Sequence, residues 1–206
     1  LDGQELFHGT NPASNGSVPD LSKPVVLVDL NASGLTPGAL AAWSNSGLMG
    51  GQFTAGDTGG VVETVSGVRG VTLDGSGYYD GPTTPLFMTG DAPRTVDAWI
   101  LNPDAADEET ILSWGRRGGP DASNCSFNHG LNATFGAVGH WGAPDVGWSG
   151  KVVTARWTHV AYTYDPATTT ATVYSDGQVA TEKVLPGALD THSVNDALIP
   201  EALRFR

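Results

Sequence analysis

Residues 157–184 read WTHVAYTYDPATTTATVYSDGQVATEKV, and this stretch decides the fold. Val160, Tyr162 and Tyr164 alternate with smaller or polar residues, which is the two-residue period of a strand with one buried face. The Asp176-Gly177 pair separates two further strand candidates. A type I′ turn needs positive φ at both central positions, and Asp-Gly dipeptides meet that need readily. The stretch therefore predicts three consecutive antiparallel strands.

Strand candidates of the same kind recur upstream at a spacing of about ten residues. They are short, rich in β-branched or aromatic residues, and bounded by Gly, Pro, Asp or Asn. In residues 95–101, Val96, Ala98 and Ile100 fall on one face and Trp99 on the other. Because no helical pattern separates these candidates, they predict an all-β, two-sheet antiparallel sandwich. The upstream strand candidates are residues 61–65, 70–73, 95–101, 109–114 and 135–140.

The composition agrees with an all-β chain and excludes several classes of protein. Twenty-eight glycines and 13 prolines among 206 residues indicate many turns, which disfavours an all-α fold. The net charge of −12 is the wrong sign for a general nucleic-acid or anionic-membrane binder. No run of about 18 apolar residues occurs, so no membrane insertion is expected. The single Cys125 is expected to be a buried thiol.

The chain divides into a lead-in and one domain. Residues 1–22 show little periodicity and are expected to form an extended N-terminal lead-in. Residues 23–206 are expected to form the sandwich, with residues 23–30 as its first strand. Residues 34–60 carry many glycines and predict a long loop region, with one helical turn at residues 37–43.

Five segments in order resemble the laminin G-like, concanavalin A-like domains. The strings GVTLDGSGYY (70–79), RTVDAWIL (94–101) and ETILSWG (109–115) are similar to the family's "FDG…Y", "fTvsaWv" and "iLswG" segments. WTHVAYTYD (157–165) and TVYSDG (172–177) resemble "WhHvavtyD" and "vrlYvDG". Each segment alone is a weak signal, but the ordered set is a strong one.

The resemblance implies a jelly-roll sandwich that serves as an extracellular or cell-surface module for binding or adhesion. Its partner would be a glycan, anionic glycans included, or a protein surface, and the module would belong to a larger secreted protein. Domains of this type end on a glycine-led strand that no segment here resembles, so the sandwich is expected to lack its last strand. An unpaired edge beside residues 25–30 would need cover from a partner chain or another segment. A structural or assembly domain completed in this way is therefore an alternative function.

A third alternative is a sandwich-fold polysaccharide lyase or glycosidase. Glucanases of this fold place carboxylates at alternate strand positions so that two of them flank the glycosidic bond. Here the acids Asp107, Glu108 and Glu109 are consecutive and would point alternately to opposite faces. A lyase would need Arg, His and Tyr on one face, and Arg116, His129, His140 and Tyr162 match no lyase motif. The sequence therefore favours a protein without catalytic activity.

Residues 114–148 are the least generic part of the chain and hold the candidate binding site. Tryptophan faces can stack on sugar rings, and Arg forks bind carboxylate or sulfate at two points. The alternatives are that Trp114 and Trp141 are core residues and that the arginines pair with Asp121, Asp145 or Glu108. Trp148, flanked by glycine, is the best candidate for an exposed platform. The candidate ligand-binding residues are Trp148, Arg116, Arg117, Trp141, His140, His129 and Asp145.

The resemblance also implies a calcium ion held by carboxylates and carbonyls from several loops, since Ca²⁺ takes six to eight oxygen ligands. The loop acids expected to take part are Asp74, Asp80 and Asp121.

Overall fold

The computed structural model describes residues 25–150, 152–191 and 202–205, and antiparallel strands dominate these residues. Their one helical element is a 3₁₀ turn at Leu86–Met88. No helix in this part of the chain is long and apolar enough to span a membrane. The expected all-β architecture is confirmed.

The strands form two larger sheets and one small sheet. In spatial order, the seven-stranded sheet contains β10 (Val138–Gly139), β9 (Asn124–Asn128), β8 (Thr110–Gly115), β14 (Ala202–Phe205), β6 (Tyr79–Thr83), β3 (Gln52–Ala55) and β2 (Ala42–Ser44). The four-stranded sheet contains β13 (Gln178–Val184), β12 (Thr170–Ser175), β11 (Trp157–Asp165) and β7 (Arg94–Leu101). The small sheet contains β1 (Gly38–Ala39), β4 (Val61–Val65) and β5 (Val68–Thr72).

The core lies between the two larger sheets. Phe127 of β9 stacks on Tyr162 of β11 with ring centroids 6.2 Å apart, and both side chains are fully buried. Burial of each such aromatic side chain contributes about 1.5–3 kcal/mol to stability. Cys125 is buried as expected, and burial raises the pKa of its thiol to about 11. Alternation along β11 is also confirmed, because its odd positions face outward and its even positions face the core.

The predicted hairpin and most predicted strands are confirmed with small shifts at their ends. Asp176 and Gly177 have φ values of 48° and 75°, as the type I′ turn requires. The strand expected over residues 135–140 is reduced to β10, whose two residues pair with β9.

The helical turn expected at residues 37–43 is wrong. Gly38 and Ala39 instead pair with Val62 and Val61, and residues 42–44 pair with β3. Gly38 has a φ of 126°, outside the helical region. Pairing with strands distant in sequence therefore decides the conformation here, and local propensity does not.

The first strand expected over residues 23–30 is not formed in its described part, Val25 to Leu30. Backbone amides of Leu48 and Met49 donate to the carbonyls of Val26 and Leu27. The buried Asn45 side chain accepts from Asp29 N and donates to Leu27 O, at 2.7 and 3.1 Å. These backbone bonds and the Asn45 side chain take the place of a strand ladder on one side of residues 25–30, and the expected cover of the other side stays a prediction. Residues 1–22 lie outside the described residues.

The expectation of no further strand after β13 is also wrong. The strand β14 lies between β6 and β8, antiparallel to both. It therefore occupies the middle of the seven-stranded sheet. Four residues interrupted by a register shift give a weak local signal, which is why the pattern of the sequence did not reveal them.

Candidate functional site

Polar side chains of β9 hold the loop that follows it. Asn124 Nδ2 donates to Gly139 O at 2.8 Å, and Asn128 Nδ2 donates to Phe135 O at 3.0 Å. Both asparagines are buried. Because buried amides satisfy the loop's carbonyls, the loop is packed on the sheet, and only some of its side chains reach solvent.

His140, a predicted ligand-binding residue, is completely buried. Its Nδ1 lies 2.9 Å from Pro144 O and its Nε2 lies 2.8 Å from the Tyr162 hydroxyl. Since a carbonyl can only accept, Nδ1 carries the proton and Nε2 accepts from Tyr162. Burial lowers the pKa of His140 to about 4. His140 is therefore a neutral core residue that joins the two sheets, and a surface ligand does not reach it.

His129 is also buried, and its ring packs against Trp148. The Asn102 amide donates to Glu109 and lies 3.2 Å from His129 Nδ1, which must therefore accept. The His129 ring meets Trp148 edge to face at 6.1 Å. Burial lowers the pKa of His129 to about 4. Trp148 donates from Nε1 to Gly136 O and is half-buried, so it is a wall and not the exposed platform that the sequence suggested.

The adjacent arginines do not form a free anion-binding fork. Arg117 makes a two-point ion pair with Glu108, with N–O distances of 2.8 and 2.7 Å. Arg116 is half-buried and also has a contact within the fold. The alternative in which Arg117 pairs with an acid is therefore confirmed, and it weakens the case for an anionic glycan.

Trp141 is the exposed aromatic side chain of this region. It is 39% exposed, and a Cβ added to Gly119 would come within 3.1 Å of its indole nitrogen. The neighbouring Gly142 faces the Asp121 carboxylate, which a side chain at that position would meet at 2.4 Å. The two loops therefore pack closely because both positions are glycine.

An open depression of about 480 Å³ lies between this loop region and β13. β13 and β10 are the edges of their sheets. The Thr181 side chain joins β13 to the loop after β10 by donating to Gly147 O and accepting from Ser149 N. The side chains around the depression are mostly polar and include those of Trp148, Asp145, Thr134, Glu182 and Lys183. Of the predicted ligand-binding residues, the structure brings Trp148 and Asp145 together here.

Asp145 is the most unusual polar residue of the depression. It is 9% exposed, and its Oδ1 is buried with no hydrogen-bond partner among the described residues. Burial raises the pKa of its carboxyl group, while the backbone of His140, Trp141 and Gly142 and the charge of Lys183 act in the opposite direction. The carboxylate is therefore held in the fold with unused acceptor capacity.

The acids expected to bind calcium do not fit a shared site. Asp74 Oδ1 accepts from Ser76 and Gly77 in its own turn, which lowers the pKa of its carboxyl. Asp80 lies on β6 and not in a loop, and Asp121 faces Gly142. Among the described residues, no three acids, histidines or cysteines form a group that could hold a metal ion.

The outer face of the four-stranded sheet carries a cluster that was not predicted as a site. Trp99 is 64% exposed, and His159 lies directly opposite it in the β7–β11 register, with ring centroids 5.3 Å apart. Asp97, two residues before Trp99 and on the same face, lies 3.2 Å from His159 Nε2. The alternation of residues 95–101 already placed Trp99 away from the core, and this signal would have found the cluster.

The small sheet forms a wall at one end of this cluster. Trp157 pairs with Leu101 in the row next to Trp99 and His159, and its Nε1 donates to Val65 O at 2.9 Å. Gly70 packs against the Trp157 ring, where a Cβ would approach to 3.1 Å. The β4–β5 hairpin is thus fixed beside the aromatic cluster and borders one end of the outer face of the four-stranded sheet.

Comparison with known proteins identifies the class of this sandwich. A laminin G-like family model, described as the concanavalin A-like lectin/glucanases superfamily, matches residues 73–202. This chain belongs to that superfamily. No curated protein and no solved structure matches the chain.

Proposed function

We propose that this chain is a non-catalytic carbohydrate-binding module that holds a glycan across the outer face of its four-stranded sheet. The observation that carries the proposal is Trp99, which is exposed in the middle of a strand and has His159 beside it and Asp97 on the same face. An exposed indole loses the stabilisation that burial would give it, about 1.5–3 kcal/mol. Tryptophan is enriched at binding interfaces, because its ring offers a large apolar contact area together with a polar N–H group.

The surroundings of Trp99 support a saccharide as that partner. Sugars present an apolar ring face and polar hydroxyls, so they suit an aromatic platform bordered by polar groups. Asp97 supplies an acceptor, and the next row pairs Thr95 with Thr163. A protein partner would favour a more apolar interface centre.

The acids that the sequence places nearest to a catalytic cluster bond to other side chains, which supports a non-catalytic role. Glu108 is paired with Arg117, and Glu109 accepts from Asn102. The lyase-like residues His140 and Tyr162 bond to each other inside the core. None of these groups is placed to protonate a glycosidic bond and attack it.

We further propose that the module is extracellular or on the cell surface and part of a larger protein. The family resemblance and the predominantly acidic composition support this setting. Since Arg117 is neutralised by Glu108 and the outer face carries Asp97, a neutral glycan fits better than an anionic one.

Affinity gel electrophoresis tests the proposal. The chain is run through gels containing soluble glucan, xylan, mannan or galactan, with alginate and heparin as anionic comparisons. At least one neutral glycan should retard it, and Trp99→Ala should weaken that binding about tenfold, a loss of roughly 1.4 kcal/mol. Trp141→Ala removes another exposed Trp and should have no effect on it. The proposal is wrong if no glycan retards the chain, or if the Trp99→Ala variant binds as the original chain does. If the original chain dimerises and the Trp99→Ala variant does not, Trp99 contacts a protein instead.

A further inference from the structure

The depression beside Trp148 is separate from the outer face and contains an unused hydrogen-bond acceptor. Asp145 Oδ1 is buried without a partner among the described residues. A buried carboxylate oxygen left unpaired costs free energy, and nearly all buried polar groups in folded proteins are paired. Asp145 lines the depression, and rotation about its terminal torsion, which is broad for an aspartate, would bring this oxygen to a ligand there in exchange for backbone contacts of the carboxylate.

Lys183 supplies a donor next to this acceptor. Its Nζ donates to Ala143 O at 3.2 Å and to Asp145 O at 2.6 Å. An ammonium group has three N–H donors, and these two contacts leave one for a ligand. Donor and acceptor thus stand side by side at the depression, as neighbouring hydroxyls of a sugar require.

We propose that this depression is a second saccharide site, specific for an uncharged sugar that donates a hydroxyl hydrogen to Asp145 and accepts from Lys183. Half-buried Trp148 provides the apolar wall, and Thr134 and Ser149 provide further polar contacts. The volume of about 480 Å³ lies within the usual range of ligand pockets, about 300–1,000 Å³.

The charges around the depression exclude an anionic sugar. Asp145 and Glu182 both line it, whereas Lys183 is the one cation among its lining residues and is already bonded to two carbonyls. A uronate carboxylate would therefore meet two like charges. Uncharged hydroxyls avoid this repulsion and still satisfy Asp145.

The test is a titration followed by saturation-transfer difference NMR, carried out in Trp99→Ala protein so that the outer face does not contribute. The probes are the methyl glycosides of glucose, galactose, mannose and xylose, with glucuronate for comparison. At least one neutral glycoside should bind more tightly than glucuronate. Adding Asp145→Asn should weaken binding roughly ten- to hundredfold, because a hydrogen bond to a charged group is lost. Adding Asp57→Asn, the same change at an exposed loop residue, should leave it unaltered.

Amide chemical shifts of the protein provide a readout that does not depend on whether the Asp145 variant folds. With the best glycoside, the amides of Gly147, Ser149 and Thr181 should shift. The inference is overturned if glucuronate binds best, if Asp145→Asn binds unchanged, if those amides do not respond, or if no glycoside binds. The two tests are independent. Failure of the second site in this titration would not affect the conclusion from the gels about Trp99, and the outcome of the gels would not affect the conclusion from this titration.

Discussion

Six tryptophans look alike in the sequence, and the structure gives them different roles. Trp43 and Trp114 are core residues with exposures of 5% and 2%. Trp148 is a wall, and Trp157 anchors a hairpin. Trp99 and Trp141 are the exposed ones. Alternation correctly separated Trp99 from the core, whereas the glycine-rich context of Trp141 and Trp148 did not determine which of the two was exposed.

Two buried histidines make stability dependent on pH. His129 and His140 have folded pKa values of about 4, below the ordinary 6.5 of the unfolded chain. The unfolded state therefore takes up protons first as the pH falls. The stability that depends on their neutral forms is complete above pH 6.5 and is lost as the pH falls toward 4.

We therefore expect the free energy of unfolding to decrease between pH 6.5 and 4, by about 1.4 kcal/mol per unit for each histidine. Urea denaturation at several pH values measures this slope. His140→Gln should make the decrease shallower, because it removes one of the two titrating groups. A slope that is the same in the variant would contradict a buried, neutral His140.

At the scale of single elements, the β12–β13 hairpin depends on one backbone conformation. Gly177 has a φ of 75°, and a Cβ there would meet no atom within 4 Å. Gly177→Ala should therefore destabilise the chain by about 1–2 kcal/mol through backbone strain alone. Gly187 is also open within 4 Å but has no positive φ, so Gly187→Ala is a matched control that should be neutral or slightly stabilising. Equal thermal melts for the two variants would refute the turn assignment.

Local pattern predicted the strands that alternate and failed for those that do not. Strands β7, β11 and β12 have β-branched or aromatic residues and clear turns, and the sequence places them almost to the residue. Strand β9 was missed because Asn124, Ser126 and Asn128 are polar, yet all three are buried by bonds to each other or to the following loop. Such burial depends on hydrogen-bond partners in the folded chain and not on apolar character, so a periodicity argument cannot detect it.

The candidate site was predicted only in part, because its side-chain contacts form in the folded chain and leave no pattern in the sequence. Glycine and tryptophan content pointed to residues 114–148, and Trp148 and Asp145 do line one depression. The sequence did not reveal that His140 would bond to Tyr162, or that Arg117 would pair with Glu108. These partners come from other strands and loops, and the fold alone brings them together.

At the scale of the whole molecule, the seven-stranded sheet depends on a strand from the far end of the described chain. Deleting residues 202–206 would leave β6 and β8 without the strand that joins them. We expect the deletion to abolish cooperative thermal unfolding, or to lower its midpoint sharply, as followed by circular dichroism. An unaltered melt after this deletion would show that β14 is not part of the stable sheet.

The two proposed sites give the molecule two separate contact regions, one on the outer face and one at the sheet edges. The net charge of −12 suits neutral ligands at both. Membership in the concanavalin A-like lectin/glucanases superfamily fits the sandwich on which we place both proposed sites.

The most direct test of the central claim is a map of backbone amide shifts as the chain is titrated with the neutral glycan that retards it in gels. We predict that the largest shifts fall on Asp97, Trp99 and His159 and on the β4–β5 hairpin beside them. Shifts confined to the loops around Arg116 and Trp141, with β7 and β11 unchanged, would contradict the proposal that the outer face of the four-stranded sheet binds the glycan.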